Sequence, residues 1–298
     1  MRIIILGAAA GGGFPQWNCG CSNCVAAREG RGGFLPRTQS SVAVSGGDGA
    51  WALLDASPDI RAQINACREL HPTGPRSSPL SSVVLTGGDL DHIAGLLTLR
   101  EKQAFRLFLT REIATILSEN PVFRALDRDY VKASVVALEE AFEPVPGVAA
   151  RLFAVPGKVP LYAEEGEVVT DLEGEQTVGV ELIQGDRRAY YIPGCARITE
   201  ALAARLDGAA LVLFDGTFFR DDEMQIAGVG EKTAARMGHM PIGGTIGSLA
   251  AFKKIRADRR MFIHINNTNP VLDPASPEHG AVVDAGWEIA EDQMEVGW

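Results

Sequence analysis

The sequence predicts a single α/β domain spanning residues 1–298, and three observations carry the prediction. Short apolar runs rich in β-branched residues recur along the chain, helical spacings fall between several of them, and polar residues with chemistry to offer collect where the runs stop. A chain of 298 residues with 46% hydrophobic content can bury a sizeable core, and nothing in the pattern marks a linker, a repeat or a coiled coil.

Taken in order, Arg2, Ile3, Ile4, Ile5 and Leu6 make a buried strand that runs into Gly7 and the glycines Gly11, Gly12 and Gly13. A dinucleotide-binding turn is excluded there: the glycines do not space as G-x-G-x-x-G, and Phe14, Pro15, Gln16 and Trp17 follow instead of a helix. Residues 41–45 and 51–55, separated by Gly46, Gly47, Asp48 and Gly49, predict a hairpin. Ser57 offers an N-cap and Pro58 a first helical residue for a helix with Ile60, Ile64 and Cys67 on its inner face. Residues 82–86 predict a strand, and the spacing of Ile93, Leu96, Leu97 and Leu99 a helix directly after the acidic turn Asp89, Leu90, Asp91, His92. That turn falls at the C-terminal end of a strand, where open α/β sheets place their chemistry. Further strands are expected near residues 179–183, 189–192, 210–214 and 261–265, with a helix from Gly243 to Ile255. Residues 156–175, rich in Gly, Pro and acid, read as a long surface loop or a small excursion.

Composition limits the function classes. Lys and Arg number 28 against 38 Asp and Glu, and a formal charge of -10 argues against a nucleic-acid surface, which takes a basic stripe. Glycines break the first apolar run too early for a secretory signal or a membrane span. Five cysteines, three of them crowded between positions 19 and 24, suit a reducing compartment with a metal site better than a disulfide framework, so a cytoplasmic protein is expected.

Cys19, Cys21 and Cys24 stand close enough to hold one tetrahedral Zn2+, with thiolates about 2.3 Å from the metal and a fourth ligand from elsewhere. Such a sulfur-rich site is structural; three free loop thiols are the alternative, and no neighbouring histidine is present to activate a catalytic cysteine. Cys67 and Cys195 read as ordinary buried thiols. Of the five histidines, His71 is expected to cap a helix end or lie on the surface, and His279 to sit in an exposed loop. His92 stands beside Asp91, His239 lies in a Gly-His-Met-Pro turn, and His264 falls in an apolar strand. A lone strand histidine is usually a satisfied core residue. Three polar residues at strand ends, two of them histidine, point instead to a metal. Asp215, ending a buried strand, and His239 form a further pair, either catalytic or merely capping their turns.

The run Thr86-Gly87-Gly88-Asp89-Leu90-Asp91-His92 resembles the metallo-β-lactamase superfamily signature Thr-His-x-His-x-Asp-His, with Gly87 and Asp89 where the first two histidines would stand. The resemblance implies an αββα sandwich of metallo-β-lactamase-like fold, and it gives His264 the place of the superfamily's metal-binding strand histidine. Within that superfamily, Gly11 to Cys24, Arg37 to Ser41, Ala56 to Arg61, Phe214 to Thr217, Asp222 to Met224 and His264 to Pro270 are similar to the coenzyme PQQ synthesis protein B family across nearly the whole chain. The altered box leaves Asp91, His92 and His264 to hold one metal, a facial set of two imidazoles and a carboxylate that suits non-haem Fe(II) and can equally hold Zn2+ as a Lewis acid. Asp89 is expected as a weak additional ligand or an outer contact. By the same resemblance Asp215 orients His239, which donates a proton near the metal. Some relatives supply the fourth ligand of the thiolate zinc three residues after the strand histidine, which is Asn267 here, although an amide is an unusual zinc ligand.

The family implies a step in pyrroloquinoline quinone (PQQ) biosynthesis, where a precursor made from cross-linked Glu and Tyr of a ribosomal peptide must gain oxygen on its tyrosine ring. The leading expectation is an iron-dependent oxygenase performing that hydroxylation. A non-enzymatic carrier in the transport of PQQ or its precursor is the second reading. A residual one-metal hydrolase is the third, and Gly87 and Asp89 make it the weakest. The precursor and other PQQ pathway proteins are the expected partners, with a homodimer left open.

Overall fold

The computed structural model describes residues 1–298 as two β-sheets stacked face to face between outer layers of helices. The first sheet holds β1 (Arg2–Gly7), β2 (Ser41–Ser45), β3 (Trp51–Leu54), β4 (Leu80–Val84), β5 (Phe105–Leu109) and β6 (Val131–Val135), in that spatial order. The second holds β7 (Ala141–Val145), β8 (Val148–Ala154), β9 (Val178–Gln184), β10 (Arg187–Ile192), β11 (Leu211–Asp215), β12 (Arg260–Ile263) and β13 (Glu288–Ile289), again in chain order. Antiparallel pairing at one side of each sheet gives way to parallel pairing from β3 to β6 and from β10 to β13. The parallel halves gather several strand C-termini at one rim, which is where ligands bind in open α/β sheets.

Side-chain alternation explains the layering. In β1, Ile3 and Ile5 face the other sheet and join Leu54, Val84, Leu152, Val180, Leu213 and Ile263 in the core between the sheets. The opposite parity, Ile4 and Leu6, points outward and packs with Leu53, Val83 and Leu107 against Ile60 and Ile113 of the helices Ile60–Ala66 and Arg111–Glu119. The second sheet repeats the device: Val212, Phe214 and Phe262 meet Leu202 and Val282 of the helices Glu200–Leu206 and Pro277–Asp284. Apolar residues on both faces of each strand therefore make four layers, the αββα sandwich. No helix is long and apolar enough to cross a membrane.

The hairpin expected at 41–55 is β2–β3, and the strands expected near 82, 179, 189, 210 and 261 are present. Several details differ. Ser57 does not cap a helix: its hydroxyl donates to Gln63 Oε1 at 3.0 Å, and the helix begins at Ile60. The helix expected from Gly243 to Ile255 shrinks to the turn Ser248–Ala251 and a 3-10 turn Phe252–Lys254. Gly244 at φ 81 and Gly247, whose place against the Gly243 carbonyl would put a Cβ at 2.1 Å, keep the first part non-helical. His264 follows β12 instead of lying within it, at φ 60. His279 is helical, in Pro277–Asp284, and donates from Nδ1 to the Val271 carbonyl at 2.8 Å instead of standing in an exposed loop. Strands β5 to β8 were not anticipated. In the excursion at 156–175, paired backbones at Gly157 and Leu172 close the loop beside the sheet rim.

One glycine ties helix to strand end at the future site. The Gly95 N–H donates to Ala56 O at 2.8 Å, the Ala56 N–H donates to His92 O at 2.8 Å, and a Cβ on Gly95 would meet Ser57 O at 2.2 Å. Gly95→Ala is expected to force the segment carrying His92 away from β3 and to destabilise the protein by about 1–3 kcal/mol. A shift of the urea midpoint measures this; an unchanged midpoint contradicts the packing described.

Candidate metal centre

At the shared rim, the first sheet presents Asp91 and His92 on the turn after β4, and the second presents His264 just past β12. The ligand atoms of these three residues lie within 4.8 Å of one another. His264 Nε2 is 2.9 Å from Asp91 Oδ2, and His92 Nε2 is 3.8 Å from the same oxygen. The three residues named from the sequence therefore converge across the seam between the sheets.

The distal nitrogens explain which atoms are left for a cation. Asp55, at the end of β3, is fully buried and accepts from the Thr86 amide at 2.8 Å, from Thr86 Oγ1 at 2.7 Å and from the Tyr191 hydroxyl at 3.1 Å. Having donated its one proton to Asp55, Thr86 Oγ1 accepts from His92 Nδ1 at 2.9 Å, which leaves His92 Nε2 with its lone pair for a metal. The second sheet repeats the arrangement. Thr217 Oγ1 donates to Asp215 Oδ1 at 2.6 Å and accepts from His264 Nδ1 at 2.8 Å, again leaving Nε2 toward Asp91. Two carboxylate–threonine–histidine relays thus aim two imidazoles at one carboxylate. Both Asp55 and His264 sit in the left-handed backbone region, φ 59 and φ 60, so the chain turns sharply where these side chains enter the rim.

His239 stacks on His264 with ring centroids 5.4 Å apart and lines the same cavity. Its Nδ1 donates to Asp215 Oδ2 at 2.8 Å, leaving Nε2 for the cavity. Asp215, His239 and His264 also lie close enough to suggest a second cation seat. The Asp215 carboxylate is unsuited to that role: it is fully buried and already accepts from the Cys195 and Thr217 amides, Thr217 Oγ1 and His239. The structure thus places Asp215 as the residue that orients His239 and, through Thr217, His264. Asp89 lines the cavity, with its oxygens outside the donor cluster. Gly87 leaves room where the superfamily histidine would stand, with a Cβ only in ordinary contact at 3.7 Å from His92 Nδ1, so space is not what removed that ligand.

Electrostatics fits a cation seat. Burial disfavours the charge on His92, yet Asp55 and Asp91 beside it raise its pKa to about 10. Burial works against the Asp91 carboxylate too, and His92 and His264 hold it below the usual range. Burial and the nearby Asp91 push Asp89 up. His239, buried but facing Asp215, is raised as well. Without a metal, protons on the imidazoles supply the positive charge that these carboxylates require.

The three cysteines make a separate cluster, their sulfurs within 4.8 Å of one another. Asn267 stands over it, with Nδ2 at 3.2, 3.6 and 3.4 Å from the sulfurs of Cys19, Cys21 and Cys24. A half-turn of the amide brings Oδ1 to the same place, so the fourth apex expected from the sequence lies where a fourth ligand is needed. Burial pushes the Cys24 thiol up to about 12, whereas the Cys24 amide and the adjacent thiol of Cys19 keep Cys21 below its ordinary value despite burial. Asn23, on the helix Ser22–Arg28, locks the knuckle to the His264 loop by donating to the carbonyls of Asn267 and Asn269 at 3.1 and 3.0 Å. Cys67 and Cys195 are buried, as expected, and lie outside both clusters.

The sequence reading missed Asp55, Thr86, Thr217 and Tyr191. Asp55 had a readable signal: Leu53-Leu54-Asp55 ends a buried strand on an acid, as Leu213-Phe214-Asp215 does.

Comparison with known proteins places this geometry. The model of the beta-lactamase superfamily domain matches residues 50–265. A coenzyme PQQ synthesis protein B of Rhizobium meliloti is 55% identical over 296 residues, covering 99% of this chain and 97% of the relative. The 1.98-angstrom crystal structure of Zn2+-bound PqqB from Methylobacterium extorquens superposes with TM-score 0.98 at 52% identity over the full length of both chains. A diphosphatase of the PhnP family shares the fold alone, with TM-score 0.70 at 20% identity over 100% of this chain and 97% of that one.

The raised pKa of His92 has a pH signature. A folded pKa near 10 against an unfolded value near 6.5 means stability that is full below pH about 6.5 and lost as pH rises through about 10. The chelator-treated protein is expected to lose stability across that window, and Asp55→Asn to flatten the loss. Metal uptake at pH 8 should release about one proton from His92, seen as a dependence of calorimetric heats on buffer ionisation enthalpy. Heats independent of the buffer contradict the assignment.

Proposed function

This chain belongs to the coenzyme PQQ synthesis protein B family of the metallo-β-lactamase superfamily, and from that premise we propose an iron-dependent oxygenase of PQQ biosynthesis that hydroxylates the tyrosine ring of a Glu-Tyr precursor derived from a peptide. One observation carries the reading: a donor cluster of two imidazoles and one carboxylate, Asp91, His92 and His264, with the remaining imidazole nitrogens already satisfied. Such a facial set leaves the opposite coordination positions free. Fe(II) held by Asp91, His92 and His264 would supply the activation of O2, a chemistry that side chains alone lack.

The rest falls to residues of the chain. Thr86 and Thr217 fix the tautomers of His92 and His264. His239, backed by Asp215, holds a proton at Nε2 on the cavity wall, placed to exchange it with the phenol as the ring changes. The cavity of about 240 Å3 accommodates one aromatic ring with substituents, given that about 150 Å3 suffices for benzene. The structural zinc falls to Cys19, Cys21 and Cys24 with Asn267, soft sulfur donors that select zinc where the N,O set at the rim does not. A binuclear hydrolase is disfavoured: Gly87 offers no donor, and Asp215 has no oxygen to spare. Carriage alone does not account for two relays built to aim imidazoles.

Protein loaded anaerobically with Fe(II), then given the cross-linked Glu-Tyr compound, O2 and a two-electron reductant such as ascorbate, is expected to add the mass of one oxygen per hydroxylation, the second oxygen atom leaving as water. Asp91→Ala and His264→Ala should abolish the gain. Binding of the compound without any mass gain by wild type favours the carrier instead. For the sulfur site, metal analysis of protein purified without chelator should show Cys21→Ser losing zinc while the rim metal stays. Loss of both metals together would contradict two independent sites.

A further inference from the structure

The cavity is lined by charges of both signs. Its lining contains the carboxylates of Asp89 and Asp91 at the metal end and three cations, Lys158, Lys232 and Arg236. These cations come from two loops, the excursion after β8 and the segment before His239, which touch where Gly238 meets the Lys158 side chain; a Cβ on Gly238 would stand 3.1 Å from Lys158 Cγ.

One buried carboxylate braces two of the cations from behind. Glu164, which does not itself line the cavity, accepts from Arg236 through a fork, Nη1 to Oε1 at 3.0 Å and Nη2 to Oε2 at 2.7 Å. Lys158 Nζ lies 2.9 Å from the same Oε1 and donates to the Val159 carbonyl at 3.0 Å, which leaves one ammonium N–H uncommitted. The Lys158 and Glu164 side chains are only 11% and 10% exposed, while Arg236, at 40%, is held by its fork to Glu164. One carboxylate against two cations leaves a surplus positive charge. Lys232 adds another, because the ion pairs at this wall are those of Glu164 with Lys158 and Arg236 and none reaches Lys232. Lys158 also acts on Asp89, so the charge left free on this wall is that of Lys232, and an unpaired cation lining a pocket in a chain of formal charge -10 marks an anion-reading surface.

We infer that Lys158, Lys232 and Arg236 form a carboxylate-binding subsite that selects an aromatic polycarboxylate, holding its carboxylates on this wall while the ring lies toward Asp91, His92 and His264. Lys232 is the specificity-determining residue, since its charge has no partner within the protein. Glu164 is a positioning residue that fixes the other two. The inference rests on the proposed oxygenase reading for the identity of the metal end, and it adds which part of the substrate the protein reads.

The test uses binding alone, so it does not depend on turnover. Zinc-loaded full-length protein in oxygen-free buffer is titrated calorimetrically with benzene-1,3,5-tricarboxylate and, separately, with benzoate. The tricarboxylate should bind more tightly than benzoate, Lys232→Met should weaken it by about tenfold, and Lys232→Arg should stay within about threefold of wild type. Benzoate binding should change little in either variant. Equal affinity of wild type and Lys232→Met for the tricarboxylate overturns the subsite, as does a Lys232→Arg loss equal to that of Lys232→Met, which would mark disturbance of the loop instead of lost charge. Failure of oxygen insertion with this binding pattern intact would reject the oxygenase and leave the subsite standing.

Discussion

Two fully buried carboxylates, Asp55 at the end of β3 and Asp215 at the end of β11, are the constraint on which the rim of this protein depends. Burying an unpaired carboxylate is among the costliest things a fold can do, so each must be surrounded by donors. The fold meets this at Asp55 with the Thr86 amide and hydroxyl and a tyrosine hydroxyl from the opposite sheet, and at Asp215 with two backbone amides, a threonine hydroxyl and the His239 imidazole. Satisfying the carboxylates and presenting the ligands are one arrangement. A threonine hydroxyl has a single proton, and giving it to the acid settles which way the neighbouring imidazole must be protonated.

This reframes the altered signature of the superfamily. Gly87 and Asp89 subtract donors from one side of the box, but the supports of the remaining side are intact and doubled by symmetry across the seam. What survives is a three-residue donor cluster whose histidines keep their supports. The cysteine cluster is tied to the loop that carries His264, since Asn267 lies three positions beyond His264 and its side chain reaches all three sulfurs.

The legibility of the sequence followed physical range. The Asp91-His92 turn, the cysteine knuckle and His264 were visible because their chemistry is local or their surroundings apolar; strands β1 to β4 and β9 to β12 were visible as apolar, β-branched runs. Strands β6 and β7 were not, because edge strands alternate weakly and carry Lys132, Glu143 and Pro144. The short turn at 248–251 was overread because helical spacing of apolar residues says nothing about the close backbone approach that Gly247 requires. Thr86 and Thr217 escaped for another reason: a threonine acquires its role only from an acid and a histidine that tertiary structure brings to it. The cations of the cavity wall escaped likewise, as their meaning lies in the partner that Lys232 lacks.

The seam itself has a consequence for how such a centre is tuned. Because Asp91 and His92 ride on one sheet and His264 on the other, the span between donors is set by the thickness of the hydrocarbon layer separating the sheets, where Leu54 and Val84 oppose Leu213 and Ile263. That layer works as a spacer. A methyl group gained or lost there alters the bite offered to an ion without touching any ligand, so the metal preference of this fold can drift through its core while its donors stay unchanged.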